Sequence, residues 1–411
     1  MTDTVVLAYS GGLDTSAIVP WLREHYGAKV VCCAVDVGQG KGELDGIEDK
    51  ARRSGADSCV VEDVRERFVR EFIWPTLKAG AIYARTYLLG TSMARPLIAE
   101  RQVAAARRVG ATALAHGCTG KGNDQVRFEL TYAAFAPDLT VIAPWRDERW
   151  AFKGREDLIA YLKEKKIPTT ATAQKPYSRD RNLWHISHEG GILEDPGHEA
   201  PADVFMLTKH PEDAPSKPAI VTIGFEEGEP VALDGKSMNP VVLLETLNAL
   251  AGEHGVGRAD IVEDRLVGMK SRGIYETPGG TVLFQAHHEL EQLVLDRRTI
   301  ALADDIAKRY ADLVYDGRWW TPEREALDAA VDAIQRYVTG TVRMKLYKGS
   351  LFVQGRESPY SLYHEGLATF GADSVYKQKD AEGFIKLYGL AVRTAAERER
   401  RLGARLAEAA D

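Results

Sequence analysis

Residues 5 to 16 read Val5-Val6-Leu7-Ala8-Tyr9-Ser10-Gly11-Gly12-Leu13-Asp14-Thr15-Ser16, an apolar run that feeds a Ser-Gly-Gly turn and then a helical pattern. The chemistry this order supports is anion binding. Two glycines permit unusual dihedrals and leave no Cβ in the way, so backbone N–H groups can converge on phosphate oxygens. Ser10, Thr15 and Ser16 add hydroxyl donors. A helix beginning near Leu13 supplies unpaired N–H groups and its positive dipole end at the same spot. The pattern is neither the Walker loop nor the Gly-x-Gly-x-x-Gly dinucleotide fingerprint. By itself it also fits a glycine-rich turn without a ligand.

A second constellation is His116-Gly117-Cys118-Thr119-Gly120-Lys121-Gly122-Asn123-Asp124-Gln125-Val126-Arg127-Phe128-Glu129. If Asn123 opens a helix, Arg127 lies one turn on along the same face and Asp124 begins the adjacent row. A small amino acid substrate suits that trio, since Arg127 can grip a carboxylate in bidentate fashion and Asp124 can hold an ammonium. Seen alone, the same residues equally suit a capped helix N-terminus with only local roles. Four cysteines (Cys32, Cys33, Cys59, Cys118) lack metal-ligand spacing, and the adjacent pair should point to opposite faces of a strand. They read as buried thiols, Cys118 included. The ten histidines show no zinc spacing, so no protein metal site is expected.

Strands must carry these loops. Short apolar runs occur at Thr4 to Ala8, Lys29 to Val35, Ser58 to Glu62, Ala111 to Ala115 and Thr140 to Pro144. Helical periodicity lies between them at 15–26, 42–54, 64–79, 93–109, 124–135 and 154–165. This alternation predicts a parallel sheet covered on both faces, with ligands at the carboxyl ends of its strands. Both loops fall at such ends, as does Val35-Asp36-Val37-Gly38-Gln39-Gly40. Beyond Pro168 come less regular strands at 219–225, 230–233 and 341–353, helices at 240–254 and 287–315, and loops rich in Pro, Gly and charge. The expected fold class is α/β: a parallel-sheet nucleotide-binding domain, a second α+β domain, and a C-terminal helix over 380–410. That helix carries Phe384, Leu387, Tyr388 and Leu390 and suits packing on another subunit. The expected domains are 1–168, 169–375 and 376–411.

Composition agrees with this division. A chain of 411 residues exceeds the size at which one core keeps growing. A formal charge of −7 argues against a nucleic-acid partner, which normally needs a broad basic face. Neither a basic leader before an apolar run nor a bilayer-length apolar stretch is visible, so no signal peptide and no membrane span are expected, and the cytoplasm is the expected location.

Ser-Gly-Gly-x-Asp-Thr/Ser directly after a strand resembles the pyrophosphate loop of ATP pyrophosphatase enzymes, which cleave ATP between its α and β phosphates. Further strings narrow the resemblance: Tyr87 through Ser92, Thr119 through Glu129, Ser178-Arg179-Asp180, Asn182 through Ser187, and Ser271 through Gly279. Together they closely resemble the argininosuccinate synthase family over nearly the whole chain. The resemblance implies that ATP lies along Ala8, Tyr9, Ser10, Gly11, Gly12, Leu13, Asp14, Thr15 and Ser16, with Val35 and Gly117 near its base and sugar. Val35 stands where the family usually has a smaller residue, so a backbone contact is expected there. Citrulline is implied at Tyr87, Ser92, Asn123, Arg127, Ser178, Ser187, Glu263 and Tyr275, and aspartate at Thr119, Asn123 and Asp124. The implied enzyme is a homotetrameric ligase of arginine biosynthesis that uses ATP with Mg²⁺ and proceeds through a citrullyl-adenylate.

Other readings share the loop. A tRNA-thiolating or amide-forming synthetase should add a catalytic cysteine pair, a glutaminase domain or a basic RNA-binding face, and none is apparent. A nucleotide-binding module without catalysis needs only the first domain. A scaffold leaves both glycine-rich loops unexplained.

Overall fold

Strand β1 (Thr4–Ala8) is buried along both of its faces, as its unbroken apolar run demands. In this computed structural model it is the centre of a parallel sheet with β2 (Lys29–Asp36), β3 (Ser58–Asp63), β4 (Ala113–Ala115) and β5 (Thr140–Ile142), ordered β3-β2-β1-β4-β5. Every neighbouring pair runs parallel. The structure describes residues 3–40, 42–168, 177–371 and 375–408. Val6, Ala8 and Cys33 pack into one layer, while Val5, Leu7 and Cys32 pack into the other. The adjacent cysteines therefore do face opposite sides. All four thiols are free, and burial pushes each upward, Cys33 to about 12 and Cys59 to about 11.

Helices α1 (Leu13–Tyr26), α2 (Ile47–Arg53), α3 (Gly90–Val109) and α4 (Asp124–Phe135) join these strands, and α5 (Arg155–Glu164) follows the last of them. Strand order reverses between β1 and β4, which makes the crevice outside their carboxyl ends the natural ligand position. The helical run expected over 42–54 begins only at Ile47, because Gly42 and Gly46 take positive φ. The stretch 65–78 is helical throughout but contains one π-helical turn, Val69–Ile73. The fifth strand stops at Ile142, where Pro144 starts a short 3₁₀ turn.

Two antiparallel sheets follow. One contains β6 (Ser178–Arg181) and β7 (Ile186–Glu189) with β11 (Arg258–Asp264) and β12 (Lys270–Glu276), ordered β11-β12-β7-β6. The other is ordered β10-β9-β8-β13-β14, from β8 (Ala219–Glu226), β9 (Glu229–Leu233), β10 (Lys236–Ser237), β13 (Gly340–Tyr347) and β14 (Ser350–Glu357). Its inner face (Ile223, Phe225, Met344) shares a core with α6 (Pro240–Glu253) and α7 (Pro278–Val294). Helices α8 (Arg297–Tyr315) and α9 (Pro322–Gln335) complete this part.

Two expectations change here. The strand expected over 341–353 is a hairpin, because Lys348 and Gly349 both take positive φ and reverse the chain. The helix expected over 287–315 starts earlier, at Pro278, and is divided at Leu295-Asp296, where Asp296 caps α8 by accepting from the N–H of Arg298 at 2.9 Å. The strands of the β11-β12-β7-β6 sheet do not stand out in the sequence, since their polar residues alternate with too few apolar ones. The chain divides into two compact units, Met1–Tyr360 and Ser361–Asp411. In the second, α10 (Asp380–Tyr388) and α11 (Leu390–Glu408) meet at Gly389, and the expected extension to Ala410 lies outside the described residues. No described helix is long and apolar enough to cross a membrane.

Candidate active site

At the carboxyl end of β1 the chain turns through Gly11, whose φ of +68° lies in the left-handed region that glycine adopts without a Cβ penalty. Gly12 donates its N–H to Ser10 Oγ at 3.2 Å, and Ser10 Oγ lies 3.2 Å from Thr15 Oγ1. Ser16 donates its N–H back to the Gly12 carbonyl at 3.0 Å. The N–H groups of Leu13, Asp14 and Thr15 stay at the open end of α1, which no side chain caps. An anion is the partner such an end accepts. A Cβ on Gly117 would sit 3.2 Å from Thr15 and Ile18, so glycine lets the end of β4 lie against α1. Val35 is buried at the end of β2, and its carbonyl accepts from Gln39 Nε2 at 2.7 Å. Ala8 to Ser16, Val35 and Gly117 thus occupy neighbouring strand ends.

The residues expected to hold the two amino acids converge elsewhere, in a cleft of about 140 Å³ between the start of α4 and one face of the β11-β12-β7-β6 sheet. Strand alternation builds that face. Glu263 stands opposite Ser271, Tyr275 opposite Ser187, Asp180 opposite Ser187, and Ser178 opposite Glu189. A Cβ on Gly273 would approach the Tyr275 ring to 2.8 Å. Its absence lets the ring lie along the strand, where the hydroxyl donates to the Glu263 carboxylate. Tyr87 packs on Tyr275 with ring centroids 4.5 Å apart, and burial pushes its phenol up to about 12.

Nine expected residues share this cleft: Tyr87, Thr119, Asn123, Asp124, Arg127, Ser178, Ser187, Glu263 and Tyr275. Ser92 is not in its wall. It is fully buried in the first turn of α3, its Oγ without a hydrogen-bond partner among the described residues, and Thr91 lines the cleft instead.

Asp124 accepts from Arg127 Nη1 at 2.9 Å and from Arg95 Nε at 2.8 Å. Burial would raise its pKa, but the two guanidiniums outweigh burial and hold it below the usual carboxylate range. Arg127 also donates through Nε and Nη2 to the Tyr315 carbonyl, at 3.0 and 2.9 Å, and so is anchored on the C-terminal end of α8. Asn123 donates to Tyr315 Oη at 2.9 Å and accepts from the N–H of Leu266 at 2.8 Å. Arg95 reaches on to Asp180 at 2.7 Å. Arg95, Asp180, Glu189, Arg265 and Tyr315 were not singled out by sequence reasoning. For Glu189 a signal existed, because it sits two residues beyond Ser187 on the same strand face. Cys118 lines the cleft as a protonated thiol, since burial drives its pKa upward.

Two family profiles match the chain. One, described as the arginosuccinate synthase N-terminal HUP domain, matches residues 4–168; the other, the arginosuccinate synthase C-terminal domain, matches residues 177–395. Argininosuccinate synthase of Pelotomaculum thermopropionicum is 60% identical over 401 residues, covering 98% of this chain and 99% of that protein. The protein of the same name from Carboxydothermus hydrogenoformans is 59% identical, covering 96% and 98%. The chloroplastic argininosuccinate synthase of Arabidopsis thaliana is 58% identical, covering 94% of this chain and 78% of that protein. On these matches the chain belongs to the argininosuccinate synthase family.

Proposed function

We infer that this chain is a ligase that joins citrulline to aspartate, forming argininosuccinate as ATP becomes AMP and pyrophosphate, a reaction of arginine biosynthesis. The observation that carries the reading is the cleft in which Asn123, Asp124, Arg127, Glu263 and Tyr275 meet beside the loop after β4. In the first step the ureido oxygen of citrulline attacks the α-phosphorus and pyrophosphate leaves. Leaving-group charge is met by the open N–H groups of α1 and the hydroxyls of Ser10 and Thr15. In the second step the α-amine of aspartate attacks the activated carbon and AMP departs. No covalent enzyme intermediate is required, so positioning carries most of the catalysis.

Roles for the cleft residues follow from what they have left to offer. Glu263 has a buried Oε2 without a partner among the described residues, suited to accept a ureido N–H. Arg127 has engaged Nε and one N–H on each terminal nitrogen, so two of its donors remain for a carboxylate. Asp124, held charged, suits an ammonium that it orients but does not deprotonate. Mg²⁺ arrives on the phosphates of ATP. Among the described residues no cluster of three or more His, Cys, Asp or Glu could hold a metal ion, and Asp14 is the one carboxylate that the loop adds. The division at 168 and 169 is supported by where the two family profiles end and begin. A cytoplasmic homotetramer is part of the same reading.

Incubation with ATP, Mg²⁺, citrulline and aspartate, omitting each amino acid in turn, tests it by mass detection of products. AMP, pyrophosphate and argininosuccinate should accumulate together only when both amino acids are present. ADP in place of AMP, or turnover indifferent to citrulline, would overturn it.

A further inference from the structure

The loop after β1 carries no cation of its own, since Ala8 to Ser16 include neither lysine nor arginine. Pyrophosphate leaves with several negative charges, and neutral N–H and hydroxyl donors meet only part of them. A lysine from outside the loop stands beside it. Helix α2 brings Lys50 against Gly11: a Cβ on Gly11 would sit 3.6 Å from Lys50 Cδ, and also 3.6 Å from Cγ1 and Cδ1 of Ile47. With glycine there, the lysine stem lies directly on the turn.

The topology aims that stem. Strands β2 and β3 run parallel, so the helix between them starts near the carboxyl end of β2 and returns toward the amino end of β3. Ile47 and Ala51 bury one face of α2 in the same layer as Ala17 and Trp21 of α1. Side chains on a helix lean toward its N-terminus, which here is the ligand side of the sheet. That lean carries the Lys50 ammonium, two bonds beyond Cδ, past Gly11 toward the open N–H groups of α1.

Its charge is also unspent. The Lys50 carbonyl accepts from Ser54 Oγ at 2.9 Å, but the ammonium makes no hydrogen bond or ion pair among the described residues. Its neighbours on the helix differ: Arg52 meets Glu48 and Asp49, and Arg53 donates from Nε to the Asp49 carbonyl at 3.4 Å. Burial, and then the charge of Arg53, lowers the Lys50 pKa, with Glu43 pulling the other way. A polyanion beside the ammonium counters both effects.

We propose that the Lys50 ammonium binds the β- and γ-phosphates of ATP and stabilises the departing pyrophosphate, an assignment that rests on the adenylation step inferred above. The ureido oxygen bonds to the α-phosphorus, the bond from that phosphorus to the bridging oxygen breaks, and the electron pair stays on pyrophosphate. Lys50 meets this charge with its N–H donors and transfers no proton. From α2 it supplies the cation that a Walker loop carries within itself.

Exchange of labelled pyrophosphate into ATP, with citrulline and no aspartate, reads this half-reaction. Lys50→Met keeps the stem and removes the charge. It should raise both the KM for ATP and the inhibition constant of pyrophosphate about 10- to 100-fold, with KM for citrulline and aspartate nearly unchanged. Lys50→Arg should recover most of the loss. An unchanged KM for ATP, or equal losses for all three substrates, overturns the proposal. If the Met variant does not fold, the unaltered enzyme decides: inorganic pyrophosphate should protect Lys50 several-fold from an amine-acylating reagent, read by peptide mass spectrometry, while exposed Lys163 on α5 keeps its reactivity. Equal acylation of Lys50 with and without pyrophosphate would refute the contact. Absence of citrulline-dependent exchange in the unaltered enzyme would instead refute the ligase reading, and acylation would still decide whether Lys50 meets the anion.

Discussion

Glu276 illustrates how a single buried charge is made tolerable. Its carboxylate is fully buried, yet it accepts from the N–H groups of Met206, Leu207 and Thr208 at 2.8, 2.9 and 2.8 Å, from Thr208 Oγ1 at 2.6 Å, and from His188 Nε2 at 2.9 Å. Burial alone would raise its pKa, but these donors outweigh burial and lower it. A folded pKa below the unfolded value of about 4.3 means that its contribution to stability is complete above that value and is lost as pH falls through the folded pKa. Glu276→Gln turns an acceptor toward donors as a donor itself, and should cost about 3 kcal/mol in chemical denaturation at neutral pH. The stability gap between variant and parent should shrink in acid. A gap that stays constant with pH would show that Glu276 is not the source.

At the scale of elements, local signals were legible and long-range ones were not. The Ser-Gly-Gly turn, the alternation of strand and helix up to residue 168, and the start of α4 at Asp124 follow from neighbouring residues, so they can be read off the chain. The role of Tyr315 cannot, because the bonds it makes to Asn123 and Arg127 span 192 and 188 residues. Glu189 and Asp180 escaped together for a related reason: the short β6-β7 hairpin has a polar cleft-facing side that reads as loop. The same sheet yields a prediction. Gly273→Ala places a methyl against the Tyr275 ring and should displace its hydroxyl from Glu263. The expected result is a drop in kcat/KM for citrulline of about 10- to 100-fold, with KM for ATP nearly unchanged. Equal effects on both substrates would mean that the ring does not position citrulline.

For the whole molecule, the open question is what covers the second unit. Phe384, Ile385, Leu387, Tyr388 and Val392 are all at least 62% exposed, although α10 and α11 present them as a nearly continuous apolar row. If this row seats a second copy of the chain, removing residues 361–411 should leave the first unit folded and reduce the number of subunits per particle measured by light scattering. A truncated chain that keeps the parent's subunit number would place the contacts on the first unit. The chemistry of the enzyme turns on one atom. If citrulline is activated through its ureido oxygen, citrulline labelled there with ¹⁸O must transfer the label to the phosphate of AMP. Mass spectrometry of AMP after turnover with ATP, Mg²⁺ and aspartate should find one ¹⁸O per molecule. Unlabelled AMP formed together with argininosuccinate would contradict the adenylate route.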